Sequence, residues 1–317
     1  MINYETIKNN PTQFLAMTSM KLPEFEYLLD HFEPHWENYH RHFTLTGKRR
    51  KRPVFEDYSN DSLPGATNKL FFLMVYLKTY TLQQCHSALF EITQGKTSRM
   101  VKILQPLLDK TLTEMGCMPS SNPEEIQKMI EKLNAQAITI DATDRPIPRA
   151  TDYGVQEEYY SGKKKDHTVK NNLLATDWQE IAYLSPSHEG KKHDKKICDE
   201  EDYQFPEGII LRKDTGYQGY NPPGVVVEQP VKSSKKNPLT MEQKKHNREI
   251  SSKRVVVEHT IMGCKRLRIV KERLRKFCWE TIDSTMRIAS ALHNFRVRSP
   301  LRVYARTPAH VKFKFYS

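Results

Sequence analysis

The chain has 317 residues, 38% of them hydrophobic and 28% charged, which is enough length and apolar content for one large domain plus a smaller one and excludes a disordered chain. Lysine and arginine outnumber aspartate and glutamate by 50 to 38, giving a net charge of +12 and a pI near 9.3, a balance that attracts phosphate backbones. The longest apolar run, Leu70 to Leu77, is far below the roughly 20 residues that span a bilayer, the polar first ten residues hold no signal segment, and the five scattered cysteines (Cys85, Cys117, Cys198, Cys264, Cys278) form no CxxC pair, against a disulfide framework or zinc ribbon.

A cytoplasmic protein near nucleic acid, with no membrane partner, is the expectation. The first 60 or so residues predict helix, with Phe14, Leu15 and Met17, then Leu22, Phe25, Leu28, Leu29 and Phe32 at spacings near three and four. They end in Lys48-Arg49-Arg50-Lys51-Arg52 before Pro53, a solvated linker or a phosphate-contacting arm. From Asn68 to Leu108 three helices are predicted: a buried one over Leu70 to Lys78, a second over Leu82 to Phe90 opened by a capping box of Thr81 with Gln84, and a third capped by Thr93 and running from Gln94. On the third, Met100, Val101, Leu104 and Leu107 suit an inward face, leaving Gln94, Lys96, Thr97, Arg99 and Lys102 to face out. This is a helix-turn-helix pattern, either a reader of the DNA major groove or a packing module.

After a polar stretch, Ser120 to Asn134, the pattern turns to strands. Ala137 to Asp141 is the first; Thr168 to Thr176 and Ile181 to Ser185 form a hairpin turning at Asp177-Trp178-Gln179; Ile209 to Lys213 is the fourth, and Val225 to Val227 a candidate fifth. A short helix near His193 to Glu201 separates the third and fourth, and a capping box of Thr240 with Gln243 opens a long helix through Glu258 to about Leu267. Ile282 to Phe295 forms a last amphipathic helix. The predicted fold class is α/β, a mixed sheet covered by helices, with an all-α helix-turn-helix region before it. The expected divisions are 1–60 (helical segment and basic linker), 61–118 (helix-turn-helix), 119–300 (catalytic) and 301–317 (basic tail).

Three acids stand in locally distinctive settings: Asp141 at a strand end, Asp214 after the fourth strand, and Glu258 on the long helix. Carboxylates so placed can hold divalent cations, and two such ions about 3.5 to 4 Å apart flank a phosphodiester undergoing cleavage. Asp144 should point away from Asp141 at strand period, and Glu228 and Glu249 are further decoys. Trp178, at a hairpin tip, is a candidate for stacking on a displaced base.

The flanking sequences sharpen this. Ile140-Asp141-Ala-Thr-Asp-Arg-Pro-Ile-Pro-Arg149, Tyr160-Ser161-Gly162-Lys163-Lys164-Lys165 with His167, His193-Asp194-Lys195-Lys196, Asp214-Thr215-Gly216-Tyr217-Gln218-Gly219 and Arg254-Val-Val-Val-Glu258 with Lys265 closely resemble the DDE transposases of bacterial insertion sequences, nearest the group that shares its catalytic domain with the Harbinger elements. The resemblance runs from about Leu70 to Arg298, including the helix-turn-helix segment. It implies an RNase H-like core in which Asp141, Asp214 and Glu258 are catalytic and hold a divalent metal, Mg²⁺ with Mn²⁺ as an alternative. Their separations are 214 − 141 = 73 and 258 − 214 = 44. It further implies that Arg254 and Lys265, four before and seven after the Glu, hold phosphates; a salt-bridge ladder is the alternative. Lys163, Lys164, Lys165 and His167 take DNA backbone contact or form a solvated loop. Ser251 stands where some relatives carry a tyrosine. His193 and Asp194 are read as a helix opening rather than as metal ligands. The partners implied are transposon terminal repeats, target DNA and further copies of the chain. A non-transposing DNA-binding regulator and a stand-alone nuclease are the competing functions.

Overall fold

The computed structural model describes residues 1–58, 61–234, 238–275, 278–302 and 307–315. Three helices open the chain, α1 (Tyr4–Lys8), α2 (Pro11–Thr18) and α3 (Leu22–His42), followed by α4 (Gly65–Thr79), α5 (Gln83–Leu89) and α6 (Gln94–Glu114). The run Leu70 to Leu77 is apolar all round because α4 is buried all round: α2, α3, α6 and the later helix Arg268–Lys271 pack against it. Thr93 caps α6 as predicted, accepting from Lys96 N at 3.2 Å. The capping box at Thr81 does not form: α5 begins one residue later, capped by the Leu82 backbone without a side-chain bond, and the Thr81 hydroxyl is buried without a hydrogen-bond partner among the described residues.

The stretch read as merely polar contains α7 (Ile126–Leu133), whose Ile126, Ile130 and Leu133 are buried. The sheet is built from β1 (Ala137–Pro146), β2 (Tyr160–Ser161), β3 (Asp166–Thr176), β4 (Ile181–Leu184), β5 (His188–Glu189), β6 (Ile210–Arg212) and β7 (Val226–Glu228). Its order is β2-β3-β1-β6-β7, with β4 and β5 also on β3. β1 and β3 are antiparallel, while β6 and β7 run parallel to β1 and to each other. This is the RNase H-like mixed sheet. Helices α8 (Tyr153–Tyr159), α9 (Asp194–Glu201), α10 (Met241–Cys264), α11 (Arg268–Lys271) and α12 (Trp279–Arg298) complete the chain. The capping box of Thr240 with Gln243 is present at the start of α10.

Strand alternation sends neighbouring residues to opposite cores. Ile138, Ile140 and Leu174 pack with α7 and α9, whereas Leu173 and Ala175 pack with α10 and α12. The latter core is continuous with α1 to α6: Phe14, Phe25, Phe71 and Leu104 share one cluster with Val257, Leu267, Met286 and Leu292. The helix-turn-helix pair thus rests on the same apolar mass as the helices that cover the sheet.

Candidate active site

In the parallel pairing of β1 with β6, Ala137 faces Ile210 and Thr139 faces Arg212, an offset of 73 residues. Asp141 and Asp214 differ by the same 73, so they occupy matching positions where the two strands leave the ladder. Asp141 lies on the face covered by α10 and α12, since its cross-strand partner is Leu173. Its Oδ1 accepts from the Ala142 N–H at 2.8 Å. Burial pushes its carboxyl up to about 6; the Ala142 N–H and Arg254 oppose the rise, and Asp214 and Asp194 add to it. Asp214 caps the short 3₁₀ turn Thr215–Tyr217, its Oδ1 accepting from Gly216 N at 2.7 Å, and Gln229 Nε2 donates to its carbonyl at 2.5 Å.

Helix α10 brings Arg254 to this pair. Its guanidinium lies 4.0 Å from Asp214 Oδ2, and Arg254 Nε is buried with no hydrogen-bond partner among the described residues. At the C-terminal end of α10, Lys265 Nζ donates to the Asp144 carbonyl at 3.1 Å, which ties that end of the helix to β1. Glu258 lies between Arg254 and Lys265, one helical turn from Arg254, and is exposed. The structure therefore brings Asp141 and Asp214 within electrostatic reach of each other, while Glu258 sits exposed on the overlying helix and is not gathered to them. Among the described residues no three His, Cys, Asp or Glu side chains lie close enough together to hold a metal ion. The donors nonetheless fit a hard divalent cation: they are oxygens only, and a carboxyl whose ionised form is penalised by burial and by its acidic neighbours gains from an added positive charge.

Asp194 is the acid the sequence reading passed over. It opens α9, but its side chain pairs with Lys170 Nζ at 2.7 Å. A Cβ placed on Gly216 would lie 2.9 Å from Asp214 Oδ1 and 3.3 Å from Asp194 Oδ2, so both carboxylates border one glycine that leaves them room. The signal for Asp194 was the His193-Asp194-Lys195-Lys196 motif itself. The decoys are placed as well: Asp144 accepts from Thr168 Oγ1 at 3.3 Å, Glu228 pairs with Arg212 and Lys253, and Glu249 is exposed on α10.

The predicted DNA contacts divide. Lys163, Lys164 and Lys165 are exposed in the β2–β3 turn, where Lys165 takes a φ of 54°, and Lys164 is near enough to Lys265 to help lower its pKa after burial does so. His167 packs edge-on against Tyr160, centroids 5.6 Å apart. On α6, Gln94, Arg99 and Lys102 are exposed. Thr97 is not available: it is fully buried, because α6 packs against α3, α4, α5 and α12 and its buried face is wider than Met100, Val101, Leu104 and Leu107 suggest. Lys96 is drawn back to Asp61, at 3.0 Å. Trp178 is 8% exposed and donates from Nε1 to Glu180 Oε2 at 3.2 Å, so it fills a core and does not stack on a displaced base.

Residues 140–294 match the family described as DDE superfamily endonuclease, and residues 62–114 match the helix-turn-helix of DDE superfamily endonuclease. The chain is 30% identical over 152 residues to a probable transposase for insertion sequence element IS702 from Microchaete diplosiphon. That match spans 48% of this chain and 54% of the relative. No solved structure gives a significant match. No helix among the described residues is long and apolar enough to cross a membrane.

Proposed function

The chain belongs to the DDE superfamily of endonucleases, with that superfamily's helix-turn-helix, and from that premise we propose that it is a transposase: it binds the ends of its insertion sequence, cuts there and joins the freed end to target DNA. The observation that carries this reading is the approach of Asp141, on β1, to Asp214, two residues past the β6 strand that pairs in parallel with β1, beside Arg254, in a chain of net charge +12. Asp141, Asp214 and Glu258 are the carboxylates we assign to catalysis, and Mg²⁺, replaceable by Mn²⁺, is the cation that such an oxygen set suits. When bound, a divalent pair supplies an activated water and neutralises charge on the phosphate being cut.

The chain's own groups bind and orient the DNA. Arg254, whose guanidinium lies 4.0 Å from Asp214 Oδ2 and whose buried Nε has no hydrogen-bond partner among the described residues, is the group we assign to a phosphate oxygen beside the aspartates. Lys163, Lys164 and Lys165 in the β2–β3 turn, with His167 at the start of β3 and Lys265 near Lys164, are the groups we assign to the DNA backbone. Gln94, Arg99 and Lys102 face the major groove of the terminal repeat, while Lys96 and Thr97 support the helix from within. Two ends must be cut in one assembly, so the working form is a homo-oligomer on DNA, in the cytoplasm and at the nucleoid of a bacterial host.

The test is cleavage and strand transfer on duplexes carrying the sequences that flank the gene, with Mg²⁺, comparing wild type with Asp214→Asn. Cutting and joining by wild type alone supports the reading. End binding without cutting under any divalent ion shows a regulator instead, and cutting without joining shows a nuclease.

A further inference from the structure

The segment from Lys265 to Arg275 carries six cations, Lys265, Arg266, Arg268, Lys271, Arg273 and Arg275, against the single acid Glu272. Its apolar residues Leu267, Ile269, Val270 and Leu274 are all buried, which fixes where the cations go. Three of them fasten the segment. Lys265 reaches the Asp144 carbonyl, and Arg273 donates to the Ile147 carbonyl at 2.5 Å and pairs with Asp166 at 2.7 Å. Arg275 lies over the Tyr80 ring, 4.1 Å from its centroid, and donates to the Thr81 carbonyl at 2.6 Å. One end is thereby tied to the strand that bears Asp141 and the other to the residues that lead into α5 and α6.

The other three, Arg266, Arg268 and Lys271, are exposed. Arg268 pairs with Glu272, but neither Arg266 nor Lys271 has an acidic partner among the described residues. Lys78, at the end of α4, joins them by donating to the Arg266 carbonyl at 2.9 Å. Burial first, and then Arg296, Arg266, Arg268 and Lys271, lower the pKa of Lys78. Like charges gathered this way repel one another, and a polyanion laid across them relieves that repulsion.

We propose that Lys78, Arg266, Arg268 and Lys271 form a phosphate-backbone track along which duplex DNA held by α6 passes to the Asp141–Asp214 pair, and which Lys164 and Lys265 continue toward the carboxylates. The proposal rests on the transposase reading, since it needs DNA to touch reader and active site together. It adds a binding surface midway between them, specific for the backbone and indifferent to sequence.

The experiment is fluorescence anisotropy of the full chain with a mixed-sequence duplex across a KCl series. The triple variant Arg266→Gln/Arg268→Gln/Lys271→Gln is compared with wild type and with a charge-matched control, Lys128→Gln/Lys132→Gln/Lys196→Gln, on exposed lysines of α7 and α9. Each lost phosphate contact reduces the slope of log K against log salt by about 0.9, so the track variant should lose about 2 to 3 from the slope and bind at least about tenfold more weakly near 0.1 M salt. The control should match wild type. Equal slopes and affinities for the track variant and the control, with wild type binding normally, overturn the track and leave the transposase reading standing. Failure of wild type to bind any duplex overturns the transposase reading, and the track with it. Matching thermal unfolding of the three proteins ties any difference to charge rather than folding.

Discussion

Replacing Asp61 by Asn should weaken the whole helical region, by an amount the local geometry sets. Asp61 accepts from Lys69 Nζ at 2.9 Å, Lys96 Nζ at 3.0 Å and the Leu63 N–H at 3.1 Å. Burial alone would raise its carboxyl, but Lys69, then the Leu63 N–H and Lys96, hold it down from the ordinary 3.8 to about 2. A folded-state pKa below the unfolded one means that ionised Asp61 stabilises the fold. At about 1.4 kcal/mol per pH unit, that contribution is about 2 kcal/mol at neutral pH. It is fully present above pH 4 and lost as pH falls through 2. The Asn variant also leaves Lys69, 1% exposed, with only Asp57 at 3.8 Å for an ion-pair partner among the described residues, so the total loss should be about 2 to 4 kcal/mol. Urea unfolding followed by tryptophan fluorescence reads it directly, because Lys69 Nζ sits 4.4 Å from the Trp36 ring centroid. A difference below about 0.5 kcal/mol at pH 7, or one that stays constant from pH 5 down to pH 2, refutes the assignment of Asp61 as the anchor of α4 and α6.

Because burial holds the Asp141 carboxyl up near 6, protons compete with cations there. Mn²⁺ affinity measured by calorimetry should therefore rise between pH 5 and 7, and Asp141→Asn should abolish most of that rise. Thr97→Val replaces a buried hydroxyl that has no partner among the described residues and should change stability by under about 1 kcal/mol without altering DNA affinity, whereas Arg99→Ala should weaken binding to the terminal repeat by about 1 to 3 kcal/mol in anisotropy titrations. Gly263→Ala would place a Cβ 2.2 Å from His293 Nδ1, where α10 crosses α12, and should lower the unfolding free energy by about 1 to 3 kcal/mol in denaturant titrations. It should also cut turnover, since α10 carries Arg254 and Glu258.

Where the governing interaction is local, the sequence was readable. Thr93 and Thr240 announce the starts of α6 and α10 because each side chain bonds an N–H three residues on, and Ile282 to Phe295 reads as a helix because one stripe is apolar. The matching register of Asp141 and Asp214 was not readable. It depends on β1 and β6 becoming neighbours, which the intervening chain does not encode in any one window. The same holds for Thr97, read as exposed for its hydroxyl, and Trp178, read as exposed for its place at a hairpin tip: the helices packed on α6 bury one, and the second core buries the other. For α7 the signal was present, Ile126, Ile130 and Leu133 at helical spacing, but it was diluted by the charged residues between them. Asp194 shows the reverse problem, a motif visible in sequence whose nearness to Asp214 appears only when α9 sets it beside Gly216.

Packing α4 and α6 into the same apolar cluster as α10 to α12 has a consequence for how such a chain can change. A reader joined through a flexible tether is exchangeable, since neither partner's interior notices the swap. Here the reader's interior side chains are also the roof over the sheet, so an imported helix pair would arrive with the wrong knobs for α12 and would unseat the helix bearing Arg254 and Glu258. If Gln94, Arg99 and Lys102 read the terminal repeat as proposed, new repeat sequences are accessible by single changes at those exposed positions, and not by module exchange. The distance from recognised bases to cut phosphate is inherited unchanged through every such step.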